Sequence, residues 1–188
     1  QISSTLYNAV LLANLEITDR SNHCFETSYV PAGRDATVNW GTVDFQFKNN
    51  RKYPIKIETT AGGGIATAKI HGLKEENEYE IEISTTILSY IPYEVIYEND
   101  SSLASGTEKV TQGGQKGCKS ITYKILKQNG NEISRSVLST DTYSAMNKYI
   151  TRGTKKTGQT QPSVPTVAPT GPTTPETLET PEKPETPT

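Results

Sequence analysis

The sequence contains no apolar stretch long enough to cross a bilayer. Its longest, residues 9–13, falls far short of the roughly 20 residues that a helical span needs. No targeting segment is visible either. Sulfur is scarce: Cys24 and Cys118 are the only cysteines, and they lie far apart. Two such residues form neither a disulfide framework nor a metal-ligand spacing, so they read as two thiols or at most one bridge. An excess of basic charge is also missing. Basic and acidic residues are equal in number over 1–155, and the tail supplies the net charge of −2. A neutral body without a basic stripe argues against nucleic acid or an anionic membrane as the main partner. The histidines are His23 and His71 alone, and His71 has no ligand cluster around it, so no metal and no cofactor is expected. Tryptophan and phenylalanine are rare beside ten tyrosines. That balance suits strands with one wet face, and equally surfaces that stack on sugars.

What is present begins with a helix. Over residues 1–15, Ile2, Leu6, Ala9, Val10 and Ala13 recur at the three-and-four spacing of an amphipathic face. Ser3 or Ser4 can cap it. The positive end of a helix dipole favours an anion or a thiolate, so the start of this helix attracts attention. After it, residues 23–30 and 43–47 read as strands, followed by alternating segments near 53–58, 66–70 and 79–83. Gly62-Gly63-Gly64 permits a reversal. The simplest assembly is an antiparallel meander on which the helix packs.

A second block of strands starts near Leu88. Ile91, Tyr93, Val95 and Tyr97 alternate, 107–112 is extended and polar, and Asn129-Gly130 is a strong hairpin signal between 121–125 and 132–139. Strands with one weakly apolar face build a thin module rather than a thick core. From Lys156 the composition changes. Eight of the eleven prolines fall in the tail among Thr, Ser and Glu, which reads as a disordered stalk or linker reaching on the order of 100 Å. The expected fold class is mainly β, α+β at its N-terminal part. The expected division is 1–87, 88–154 and a Pro/Thr-rich 155–188.

Two resemblances cover nearly all of the folded part. QISSTLYNA at 1–9, RSNH at 20–23, SYVPAGRDATV at 28–38 and DFQFKN at 44–49 follow in the order of the VanW family, which the region 1–72 resembles. From about 88 to 153 the chain resembles the G-five domain, through GTEKVTQGGQKG at 106–117 and Thr122-Tyr123, with Gly106, Gly114, Gly117, Gly130 and Gly153 as its glycines. The resemblances imply an extracellular cell-wall or cell-surface protein of a Gram-positive bacterium. Its partner would be peptidoglycan or another glycan containing N-acetylglucosamine. In the VanW family the glutamine matching Gln1 usually follows a cysteine, and some members are regarded as peptidoglycan L,D-transpeptidases with that cysteine as nucleophile. The nucleophile is thus expected just before Gln1 and outside the numbering, so the chain as numbered is expected to be inactive. A non-catalytic wall-binding protein is the alternative.

Within this reading His23 is the candidate base, with a histidine that merely hydrogen-bonds at a strand start as the structural alternative. Asp35 can orient His23, or can simply bond turn amides. Gln1 is a candidate oxyanion support. Arg34 can fork a stem carboxylate, and Tyr29 and Trp40 can line a groove or pack in the core. Cys24 is set aside as a substitute nucleophile, because neighbours on a strand point to opposite faces. Tyr93, Tyr97 and Tyr123 are candidate sugar platforms or the second module's scarce core.

Overall fold

The computed structural model describes residues 1–156. The tail reading at 157–188 lies outside the described residues.

The Asn129-Gly130 signal forms the hairpin it encodes. Strands β8 (Gly117–Gln128) and β9 (Asn131–Tyr143) pair from Gln128↔Asn131 outward. Asn129 and Gly130 have φ of 54° and 78°, the left-handed pair that a type I′ turn requires. On the other side of β8 lies β5 (Glu80–Ile91), so β8 is the centre of an antiparallel sheet ordered β5-β8-β9. Position decides burial here: Cys118, Ser120, Thr122 and Ile125 on the central strand are buried. A second sheet, ordered β6-β10-β7, joins β6 (Val95–Ala104), β10 (Lys148–Lys155) and β7 (Glu108–Gln112). Its β6–β10 pair is parallel. In this sheet the backbones nearly touch: a Cβ on Gly153 would sit 2.0 Å from the Ala104 carbonyl oxygen. The reading of 91–97 as one alternating strand is corrected, because β5 ends at Ile91 and β6 begins at Val95. Pro92, which has no amide hydrogen to give a ladder, opens the break.

The N-terminal part consists of α1 (Ile2–Leu12), the pair β1 (Glu16–Asp19) and β2 (Gln46–Lys48), and the hairpin β3 (Ile55–Gly62) with β4 (Ile65–Gly72). The helix packs on antiparallel β structure as the sequence suggests, yet the meander does not run on from β4. β5 leaves it to pair with β8 instead. The buried face of α1 also differs from the expected one. It is Ser4, Tyr7, Val10 and Leu11, while Ile2 is exposed. Burying Ser4 is cheap because its hydroxyl accepts the Ala36 amide at 3.1 Å. The Tyr7 ring meets Phe45 edge-on at 5.4 Å and lies under the Arg20 guanidinium. Neither serine caps the helix: Gln1 is the N-cap and makes no side-chain cap bond, while Ser3 donates to the Ala36 carbonyl at 2.7 Å.

Tyr7, Leu11 and Ala36 form one core with Ile17, Phe45, Ile83 and Leu138, so α1, β1, β5 and β9 share it. A second core joins Ala32 to Cys118, Tyr143 and Ile87. β5 is continuous through positions 87 and 88. Residues 1–156 form one compact unit.

Candidate functional site

The expected strand at 23–30 does not form; residues 20–38 are irregular. The segment is ordered by other partners. The Ser144 amide donates to the Cys24 carbonyl at 2.7 Å, the Asn22 side chain donates to the Thr142 carbonyl at 2.9 Å, and the Thr37 amide donates to Ser21 at 2.8 Å. These bonds pin the segment beside the end of β9 without a strand ladder.

Asp35 is the hub. Its side chain is 1% exposed and takes four donors. Oδ1 accepts the Tyr143 hydroxyl at 2.5 Å and Arg20 Nη2 at 3.1 Å. Oδ2 accepts the His23 main-chain N–H at 2.6 Å and lies 2.8 Å from His23 Nδ1. Arg20 also donates through Nε to the Asp35 carbonyl at 2.7 Å and bridges to Asp141. Burial alone pushes the Asp35 carboxyl up. The hydrogen bonds from Tyr143 and from the His23 main chain and ring, with the Arg20 charge, outweigh it and hold the group below the usual carboxylate range. Asp35 is therefore an anion at neutral pH. Burial first, and donation to Asp35 second, push the Tyr143 phenol well above its ordinary value.

An anion at Nδ1 selects the tautomer of His23. A neutral ring donates its Nδ1 proton to Asp35, which leaves the lone pair on Nε2. The imidazole is about one-third exposed, and the Tyr29 hydroxyl lies 3.4 Å from Nε2. The carboxylate, the imidazole and a half-exposed phenol thus stand in sequence, and Nε2 can accept a proton.

The other candidates fall into place around this pair or away from it. Gln1 is exposed at the start of α1. Ser3 and Ser4 tie that first turn to Ala36, so the helix start and the His23–Asp35 pair hang on adjacent residues. Arg34 Nε donates to Asn8 Oδ1 at 2.7 Å, and Asn8 Nδ2 donates back to the Arg34 carbonyl at 2.8 Å, so the arginine clamps the loop to α1. Trp40 is 98% exposed and takes no part in the core. The thiols differ: Cys24 is exposed, with Sγ 3.8 Å from Ser144 Oγ, whereas Cys118 is buried beside Glu26, and neither is in a disulfide. His71 is exposed, 3.6 Å from Glu58. Among the described residues no three His, Cys, Asp or Glu side chains gather as a metal site.

The three tyrosines of the second block are separated. Gly114 lies against the Tyr93 ring, where a Cβ would come within 2.3 Å. Tyr97 on β6 is half exposed beneath Arg152, whose guanidinium carbon is 3.5 Å from the ring centre. Tyr123 belongs to the other sheet, with Arg135 at 5.6 Å.

Sequence reasoning missed Arg20, Tyr143 and Asp141 as site residues. Arg20 was within a motif but carried no assigned role. Ser139, Asp141 and Tyr143 share one face of β9, and an acid on the buried face of a strand is the signal for a buried cation. Gly33 was read only as a turn. Its φ is 78°, its amide donates to the Tyr143 hydroxyl at 2.7 Å, and a Cβ there would lie 1.9 Å from Thr122 Oγ1.

Comparison with known proteins agrees with these two halves. Residues 1–71 match the family model described as VanW like protein, and residues 82–155 match that of the G5 domain. The uncharacterized protein YoaR of Bacillus subtilis (strain 168) is 52% identical over 64 residues, covering 34% of this chain and 21% of YoaR. An immunoglobulin A1 protease of Streptococcus pneumoniae is 35% identical over 72 residues, covering 38% of this chain and 4% of the protease. The chain thus spans about a fifth of the first relative and a small part of the second. Among solved structures, an IgA1 protease G5 domain has 29% identity over 43% of this chain and 98% of its own, with a TM-score of 0.29. HP0197-G5 has 21% identity over 41% and 100%, with a TM-score of 0.24. Along the chain, similarity to the VanW family is thus followed by similarity to the G5 domain.

Proposed function

We propose that this chain belongs to an extracellular, cell-wall-associated protein whose VanW-like region acts on peptidoglycan. Its G5 domain engages N-acetylglucosamine-containing glycan, with Tyr97, the most exposed of Tyr93, Tyr97 and Tyr123, offering the face that Arg152 leaves free. The reaction class is L,D-transpeptidation by a thiol, the thiol being the one that the family resemblance puts immediately before Gln1. The observation that carries the reading is the His23–Asp35 pair, in which a buried anion holds Nδ1 and the Nε2 lone pair faces the Tyr29 hydroxyl on the exposed side of the ring. His23 Nε2 takes the thiol proton, and the thiolate, favoured by the dipole of α1, attacks a stem-peptide carbonyl. The terminal residue leaves with a proton from His23, forming a thioester. The amine of a neighbouring stem then attacks, loses its proton and restores the thiol. Asp35 and Arg20 act as positioning residues.

A protein that includes the preceding residue supplies the test. If that residue is cysteine, disaccharide-tetrapeptide substrate yields 3-3 linked dimers by mass spectrometry. His23→Ala then lowers the rate by roughly 10²–10⁴-fold, the usual share of a general base. A residue other than cysteine, or no dimers from folded and reduced protein, supports a second reading in which both regions only bind the wall. One observation favours that second reading: Asp35 is shared among four donors and ties the two regions together, a role sufficient in itself to keep it.

A further inference from the structure

Trp40 is the chain's single tryptophan, and neither the core nor the His23 pair uses it. Burying an indole is among the most favourable acts open to a folding chain, yet this one is left 98% exposed. It is not on a loose loop. Asn39 and Val43 form a two-way backbone bridge, the Asn39 amide to the Val43 carbonyl at 2.8 Å and the Val43 amide to the Asn39 carbonyl at 3.0 Å. Thr42 adds its amide to the Asn39 carbonyl at 3.0 Å, and Gly41 at φ 79° closes the turn. The ring is therefore displayed on a short pinned turn.

Beside it lies a cleft of about 620 Å³ lined by Asp19, Val38, Trp40, Thr42, Asp44 and Gln46, together with Gly41 and Val43. Asp19 is brought there by a bulge in the β1–β2 pairing, where the register shifts between Ile17 and Asp19. Bulges re-aim side chains in this way. Asp44 accepts the Phe45 amide at 2.8 Å through Oδ1 and the Gln46 side chain at 3.3 Å through Oδ2, which fixes the carboxylate at the rim. Among the described residues no lysine or arginine lines the cleft, which disfavours phosphates and other anionic ligands. One aromatic face, two carboxylates and an amide match a neutral ring that is apolar on its flat side and rich in hydroxyl and amide donors at its edge. A cationic headgroup would want several aromatic walls, and the lining provides one.

We infer that Trp40 is the stacking platform of a pyranose-binding subsite for uncharged N-acetylated amino sugars, with Asp19 and Asp44 accepting ring hydroxyls and Gln46 meeting the acetamide. The inference rests on the wall-glycan reading above. It places a glycan contact in the VanW-like region, independent of the tyrosines of the G5 domain.

Because Trp40 is the only indole, its fluorescence reports this site alone. The test titrates the chain with oligomers of N-acetylglucosamine, following tryptophan emission and acrylamide quenching, with calorimetry in parallel. The expected result is a saturable blue shift with protection from quencher. In calorimetry Trp40→Ala, a change at a fully exposed position that leaves the circular dichroism unaltered, weakens binding roughly tenfold or more. Asp44→Asn should weaken it while keeping the indole reporter. Calorimetric binding with unchanged tryptophan emission, and equal in Trp40→Ala, overturns the subsite and leaves the wall-glycan reading standing. No heat and no emission change with any oligomer overturns both. An emission change with choline or zwitterionic phospholipid vesicles, and none with the oligomers, assigns the platform to another ligand and also overturns the proposal.

Discussion

Replacing Asp35 by asparagine keeps its shape and removes its charge, so it isolates what the carboxylate does. Both oxygens are committed: Oδ2 to the two His23 donors, Oδ1 to Tyr143 and Arg20. An amide presents one oxygen and one NH2 group, so whichever way it turns, its NH2 faces an obligate donor, the His23 main-chain N–H or Arg20 Nη2. Hydrogen bonds to a charged group contribute roughly 1.5–3 kcal/mol each, and leaving a buried partner uncompensated costs about 3–5 kcal/mol. Arg20 retains Asp141, which offsets part of the loss. The expected destabilisation is therefore about 3–4 kcal/mol, a large share of the total for a domain this size. With a urea slope near 2 kcal/mol/M, the unfolding midpoint falls by roughly 1.5–2 M. The acid limb gives a second readout. The native carboxyl titrates below its unfolded value, so its contribution is complete above about pH 4 and fades as pH drops through the native value. The gap between the two proteins should therefore narrow below about pH 4. A midpoint change equivalent to less than about 0.5 kcal/mol at pH 7 would refute the view of Asp35 as the hub.

Three further outcomes follow from neighbouring geometry. Gly33→Ala places a Cβ within 1.9 Å of Thr122 Oγ1 at a left-handed φ, and should lower stability by about 2–4 kcal/mol in urea unfolding; a wild-type midpoint would contradict the close docking of this turn. Burial raises the Cys118 thiol, with the Glu26 carboxylate adding to it, while Cys24 is exposed; alkylation of the native protein followed by peptide mass mapping should therefore modify Cys24 alone until urea is added. Burial pushes Tyr7 up to about 12, so ultraviolet titration should show it silent as ordinary tyrosines ionise near 10. The stability tied to its neutral form is lost as pH rises between those values.

Local chemistry was legible in the sequence where a few adjacent residues decide it. Asn129-Gly130 specifies a type I′ hairpin by itself, and Gly63-Gly64, both at positive φ, turns β3 into β4. Strand partners were less legible. Nothing in 79–83 states that β5 pairs with β8, some 40 residues on, rather than with the adjacent β4. The strand expected at 23–30 failed for the same reason, since the His23 amide goes to Asp35 and the Cys24 carbonyl to the Ser144 amide, partners that propensity does not see. The helix face was misjudged because apolar spacing ranks Ile2 above Ser4, whereas a satisfied hydroxyl buries at small cost. At the site, His23 and Asp35 were named from their motifs. Asp141 and Tyr143 join the network through contacts spanning more than a hundred positions, and Arg20 links Asp141 to Asp35.

His23 can act as an oriented base only in one tautomer, and nitrogen-detected NMR of the histidine side chains reads it directly. The chain has two histidines, and His71→Ala assigns the remaining signals to His23. At a pH where the ring is neutral, the expected state has a proton on Nδ1, shared with Asp35, and an unprotonated Nε2 whose shift moves on Asp35→Asn substitution. A neutral ring protonated on Nε2, unchanged by that substitution, would contradict the oriented base and leave the pair as a structural contact alone.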